Sequence, residues 1–183
     1  MSNVISRQVI SSVGIDIGTT TTNVIFSQLT VENRASNFTV PRISIVDKQV
    51  VYKSDIYFTP LLSPTEINTE EIKKIVSEEY RKAGMTPHMV HSGAVIITGD
   101  MARKKNANQV LKALSDSSGD FVVAIAGPGL ESVLSARGAG TDVASKEKKC
   151  VMANLDIGGG TTNIAVYDKG PECRHRTRGR HHR

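Results

Sequence analysis

The apolar positions change period several times along the chain, and the changes outline its elements. Val13-Gly14-Ile15-Asp16 is a short apolar run ending on an acid; small residues follow, then a β-branched run from Asn23 to Phe26. Strand, small-residue turn and strand predict a β-hairpin. Two further strands are predicted at 40–46 and 50–57, the first with alternating apolar positions. From Asn68 the period becomes helical. Asn68 is a cap with Glu71 at N3, and Ile72, Ile75, Val76, Tyr80 and Ala83 recur at helical spacing up to Gly84. A short strand is predicted at 94–98, a helix over about 101–114, and a buried strand at 121–126. After the Gly127-Pro128-Gly129 break, 130–137 predicts a helix with Gly138 behind it. Residues 138–149, ending in KEKK, read as a linker or solvated loop, and a second hairpin follows at 151–156 and 163–167. This order predicts an α/β domain with a mixed sheet.

The two hairpins are copies of one another. Residues 15–26 read IDIGTTTTNVIF and residues 155–166 read LDIGGGTTNIAV, with Asp16/Asp156, Ile17/Ile157, Gly18/Gly158, Thr21/Thr161, Thr22/Thr162 and Asn23/Asn163 identical. A separation of 140 residues is too long for a solenoid repeat and suits two halves of a duplicated architecture, each opening with the same element.

Charge first suggests a nucleic acid or membrane partner, because the formal net charge is +5. Yet residues 171–183, PECRHRTRGRHHR, hold five Arg and one Glu, so +4 of that charge sits in the last thirteen positions and the body is nearly neutral. This tail, with a proline at its head and repeated like charges, is not expected to supply the third strand that the turn at 167–170 calls for; it reads as non-native or unrelated sequence. Aromatic residues make up 4% of the chain with no Trp, which disfavours base stacking and leaves nucleic acid excluded as a partner. No apolar run reaches the roughly 18 residues of a membrane span, and no signal peptide is legible, so no membrane partner and a cytoplasmic location are expected. Two cysteines make neither a disulfide framework nor a metal-ligand spacing.

The paired turns carry the candidate chemistry. Gly18-Thr19-Thr20-Thr21 crowds backbone N–H groups and hydroxyls around a small concavity, and Gly158-Gly159-Gly160-Thr161-Thr162 repeats the device with less side-chain bulk. Two such nests facing each other would hold a polyphosphate from both sides. Asp16 and Asp156, ending their strands at the lip, would hold a hydrated Mg²⁺ beside it, since Mg²⁺ keeps several waters and takes one or two carboxylates. Neither turn matches the P-loop or the dinucleotide-binding glycine pattern.

This pair resembles the phosphate-1 and phosphate-2 hairpins of the actin, Hsp70 and sugar-kinase ATPase superfamily. More narrowly, GIDIGTTTTNVIFS and NLDIGGGTTNIAVYDKG, with HSGAVIITGDMARKKNA and AGPGLESVLSARG between them, resemble the ethanolamine ammonia-lyase reactivating protein family over about residues 10–170. The resemblance implies an actin-like ATPase (ribonuclease H-like) domain over 1–140, a linker at 141–150, and the opening phosphate-2 hairpin of a truncated second domain at 151–170. It implies ATP and Mg²⁺ as cofactors and ethanolamine ammonia-lyase as partner, with a chaperone-like ATPase releasing damaged cobalamin so that adenosylcobalamin can rebind. Association with a bacterial microcompartment is a further implication of the family. In Hsp70-like members an acidic residue that positions the attacking water lies beside a proline opening the helix before phosphate-2. Matching Pro128 to that proline puts Gly127 at the acid's place, and Glu131, one turn into the helix, becomes the catalytic candidate; the plainer alternative is an exposed helix residue. Two rival functions stay open: a small-molecule kinase of the same superfamily, and a non-catalytic fragment that binds the lyase.

Overall fold

A computed structural model describes residues 7–33, 43–118, 121–158, 161–170 and 173–179. The first hairpin is longer than its apolar core suggested. β1 (Arg7–Ile17) pairs antiparallel with β2 (Thr21–Asn33) from Arg7↔Glu32 to Ile17↔Thr22. The expected strands at 40–46 and 50–57 are instead one strand, β3 (Ile43–Lys53), followed by the two-residue β4 (Tyr57–Phe58); residues 40–42 lie outside those described. Polar Asp47-Lys48-Gln49 interrupts the apolar pattern like a turn, but pairing with β2 runs through it, with register shifts at Phe26/Ser27 and Thr30/Val31. β5 (Leu61–Ser63) and β6 (Glu66–Ile67) form a small ribbon.

Helix α1 (Thr69–Lys82) starts where its cap predicts: Asn68 Oδ1 accepts from Glu71 N–H at 3.1 Å. It ends in basic Arg81 and Lys82, which suit the negative end of the helix dipole, and Gly84 follows at φ +65°. β7 (Ser92–Thr98) lies parallel to β1. The helix expected from 101 begins later, as α2 (Ala107–Ser118), because Gly99–Arg103 winds into a 3₁₀ turn first. Asn106, just before α2, turns its amide to both Ile67 backbone groups at 2.9 and 2.8 Å. β8 (Phe121–Ala126) completes a mixed sheet of order β3-β2-β1-β7-β8, with β4 added on β2.

One face of this sheet is the core. Val13, Ile15, Ile17, Val24 and Phe26 from the hairpin, and Val95 and Ile97 from β7, meet Ile72, Val76 and Tyr80 of α1 and Val110, Leu111 and Leu114 of α2. Phe26 is fully buried and meets the Tyr80 ring edge-on, centroids 4.8 Å apart.

Beyond β8 the chain departs from the sequence reading in two places. α3 (Pro128–Gly138) is followed by α4 (Thr141–Lys148), where a linker or solvated loop was expected. The lysines concealed a helix whose buried face is small and polar: Thr141 and Ser145 lie one turn apart, and Ser145 Oγ sits 2.7 Å from the Cys150 carbonyl while accepting Lys169 N–H at 3.0 Å. β9 (Val151–Ile157) and β10 (Thr161–Asp168) form the second hairpin as predicted, and the tail supplies its third strand after all, as β11 (Cys173–Gly179). Strand pairing uses backbone groups, and charged residues are the usual occupants of an edge. The register also shows the alternation that net charge hid. Cys173, His175 and Thr177 stand opposite Tyr167, Ala165 and Asn163, whereas Arg174, Arg176 and Arg178 stand opposite Val166, Ile164 and Thr162. α3 packs on all three strands of this sheet as well as on β8.

Candidate functional site

Both turns open on one cleft of about 230 Å³, lined by Asp16, Gly18, Thr19, Thr20 and Thr21 from the first hairpin, Asp156, Ile157 and Gly158 from the second, and Thr98, Gly99 and Glu131 between them. A second space of about 330 Å³ continues from it past Ile96, Ala126, Leu134 and Ser135, sharing Asp16, Thr98, Glu131 and Asp156.

The strands dictate how the acids arrive. Asp16 is the next-to-last residue of β1 and pairs with Asn23; Asp156 holds the same place in β9 and pairs with Asn163. Each therefore stands one residue before its turn, on the sheet face opposite that of its neighbouring isoleucine. Glu131 comes from the first turn of α3, which begins with Gly127 as N-cap and Pro128 at the first position. The Asn163 side chain and the Gly99 backbone N–H act on its carboxyl from close by, each lowering its pKa. Asn163 is buried, and its Oδ1 has no partner among the described residues.

Electrostatics mark the cleft as short of positive charge. Although Asp16 keeps an open face to the cleft, desolvation raises its pKa to about 6, with the Asp156 charge adding to the rise and the Thr98 hydroxyl, 3.5 Å away, opposing it. Burial also pushes the Glu131 carboxyl up, and the Asp156 and Asp16 charges push it further. Three carboxylates thus face the space, with no Lys, Arg or His among its described lining residues. Among the described residues, no group of three His, Cys, Asp or Glu is arranged to hold a metal directly.

The first turn is built to present donors. Gly18 N–H donates to Thr21 O at 2.9 Å, and a Cβ at Gly18 would stand 3.1 Å from that oxygen, so the turn is tight enough to favour glycine. Thr19 Oγ1 accepts from Asp100 N–H at 2.8 Å, leaving its hydroxyl hydrogen to donate. Gly99 (φ +57°) packs so closely there that a Cβ would run into Thr19 Oγ1.

Of the residues singled out from sequence, Asp16, Gly18, Thr19, Thr20, Thr21, Glu131, Asp156 and Gly158 are brought together by the fold. Gly159 and Gly160 lie outside the described residues. Thr161 opens β10, its side chain lying outside what is described, and Thr162, half-buried opposite Ile157, is not among the described residues lining the cleft. Sequence reasoning passed over Thr98, Gly99 and Thr59. Asn163 was visible as an identity in the repeat, but its influence on the Glu131 carboxyl arises only through tertiary placement of α3.

The comparisons with known proteins agree with this architecture. The chain is 17% identical to an Aquifex aeolicus Ppx/GppA family member, with a TM-score of 0.61 over 94% of this chain and 52% of that one. An exopolyphosphatase from Cytophaga hutchinsonii gives 15% identity and a TM-score of 0.57, covering 92% and 50%. At these identities the likeness concerns the fold alone, which is of the actin-like ATPase class. Two curated relatives named ethanolamine ammonia-lyase reactivase EutA, from Escherichia coli K12 and Salmonella typhimurium LT2, are 48% and 47% identical over 165 residues. Those matches take in 90% of this chain and 35% of each relative, so the chain spans about a third of their length. The family described as ethanolamine utilisation protein EutA matches residues 8–177, reaching into the basic tail. With both aspartate-tipped hairpins and the strands and helices between them inside that match, the chain belongs to the EutA family.

Proposed function

We propose that this chain forms the Mg²⁺- and phosphate-binding part of an ATP-dependent reactivating factor for ethanolamine ammonia-lyase. The carrying observation is the meeting of Asp16 and Asp156, from duplicated hairpins, across one cleft with Glu131 beside them. In this reading the turn amides of 18–21 and 158–162 bind phosphate oxygens. Asp16 and Asp156 would hold a hydrated Mg²⁺. When bound, that ion would offset the charge of the acids and of the phosphates during phosphoryl transfer. Glu131, at the cleft beside Gly99 and Asp156, orients a water; phosphoryl transfer asks mainly for such positioning.

The lyase as partner rests on the relatives' name, and so does reactivation itself. Release of damaged cobalamin, by domain closure over nucleotide, is the reading's mechanical step. The division into a first domain ending at 140 and a second opening at 151 belongs to the same proposal. Isothermal titration of Mg·ATP onto the chain tests the binding claim: heat that is lost in Asp16→Asn is expected, and no heat at millimolar nucleotide would overturn it. Capture of purified ethanolamine ammonia-lyase by the immobilised chain tests the partner, and capture of a different cobalamin enzyme in its place would redirect the assignment.

A further inference from the structure

Thr59 lies outside every motif, yet it touches the first phosphate turn three times. Its Oγ1 donates to the Gly18 carbonyl at 2.8 Å, its backbone N–H donates to the Thr20 carbonyl at 2.9 Å, and its Oγ1 lies 3.0 Å from Thr22 Oγ1. A hydroxyl has one hydrogen, and that of Thr59 goes to Gly18, so the buried Thr22 hydroxyl is the donor of the third bond.

These bonds decide where the turn's amides point. In a trans peptide the N–H points opposite to the C=O of the same plane. Drawing the Gly18 and Thr20 carbonyls to Thr59 therefore turns the Thr19 and Thr21 N–H groups away from it. A closed two-residue hairpin would have Gly18 and Thr21 exchange both bonds. Here Gly18 N–H donates to Thr21 O, but the return bond is not made; the Gly18 carbonyl accepts from the Thr59 hydroxyl instead. We infer that Thr59 is a positioning residue for anion binding: it withholds the Gly18 carbonyl from the hairpin's closing pair and so keeps the Thr19 and Thr21 amides available to phosphate oxygens. This rests on the reading that the turn binds phosphate.

Thr59 is itself firmly placed. Pro60 confines it to extended backbone. Two residues before it, β4 pairs with Thr21 and Thr22 of β2. Tyr57 of that strand donates to Glu79 Oε1 at 2.5 Å and accepts from Lys82 Nζ at 2.9 Å. Glu79 is completely buried and also accepts from Tyr52 at 2.7 Å and Lys82 at 2.8 Å. Burial pushes the Glu79 carboxyl up, but these bonds outweigh it and hold it below the ordinary range, so it stays an acceptor. Helix α1 thus grips the segment that aims the turn, without reaching the cleft.

The test pairs Thr59→Val, which keeps the shape and loses the hydroxyl, with Thr59→Ser, which keeps the hydroxyl. In titration, Thr59→Val is expected to weaken Mg·ATP binding roughly tenfold, as for loss of a bond to a charged group, and Thr59→Ser to restore most of it. Equal binding by parent and Thr59→Val, or equal losses in both variants, would overturn the inference. A nucleotide-free readout separates it from the function on which it rests. With the hydroxyl gone, the Gly18 carbonyl is free to rejoin Thr21, so hydrogen exchange at the Thr21 amide should slow in Thr59→Val and not in Thr59→Ser. Unchanged Thr21 exchange contradicts the inference even if Mg·ATP binds; absence of Mg·ATP binding by the parent with slowed Thr21 exchange contradicts only the function.

Discussion

In the first hairpin β1 is flanked by β7, and β2 by β3 and β4, and one face is buried against two helices. In the second, β9 is an edge strand whose Val151, Leu155 and Ile157 are 60%, 58% and 67% exposed, and among the described residues the buried apolar cluster comprises Ala136, Ala165 and Tyr167. Six identical residues in twelve thus sit in very different surroundings. The shared residues specify what is local: an acid one residue before a tight turn, and a turn of small residues. Support is specified elsewhere in the chain, by α1, α2 and Thr59 for the first hairpin and by α3 and α4 for the second. A duplicated motif fixes the chemistry of a site and leaves its stability to the partners.

The largest effect expected from this contrast is in the core. Phe26→Ala should cost about 3–5 kcal/mol in denaturant unfolding, whereas Leu155→Ala in the copy should stay within about 0.5 kcal/mol. Comparable costs at the two positions would show that the second hairpin is covered as well as the first.

Next comes the tie between the first turn and β7. Gly99→Ala meets a left-handed backbone and the Thr19 hydroxyl together, and should cost about 1–3 kcal/mol. Gly84 has φ +65° with open space around it, so Gly84→Ala should cost only about 1 kcal/mol. Equal thermal midpoints for the two variants would mean that Thr19 yields freely and that the tie does not fix the turn.

The smallest effect concerns charge. A carboxyl raised in the fold binds its proton more tightly there than in the unfolded chain, so its contribution to stability falls as pH rises from 3.8 through about 6. Asp16→Asn removes that cost. Discounted for solvent at the cleft, it should raise stability at pH 7.5 by on the order of 1 kcal/mol and do little at pH 3.5. Asp156→Asn, which removes one contributor to the Asp16 shift, should give a smaller gain of the same sign. Thermal midpoints at the two pH values check both, and a loss of stability at pH 7.5 in Asp16→Asn would contradict the charge-poor picture of the cleft.

Much of this was legible because the signals are local. The hairpins, the Asn68 cap and the acids announce themselves within a few residues. Arg174, Arg176 and Arg178 obscured a strand because net charge was read before alternation, and an edge tolerates charge. KEKK obscured α4 because its buried face consists of Thr141 and Ser145, which carry no hydrophobic periodicity. Thr59 was invisible for a different reason: it acts through hydrogen bonds to residues 37 to 41 positions away, and a Thr before a Pro carries no sign of that.

The central claim is that both hairpins grip one polyphosphate through one hydrated metal. Mn²⁺ in place of Mg²⁺ makes that directly measurable, since a bound paramagnetic ion broadens nearby amide resonances. With Mn·ATP bound, the amides of 18–21 and of 158–162 should broaden together, and Asp16→Asn should abolish both effects. Broadening of one turn alone, or of neither at saturating Mn·ATP, would contradict it.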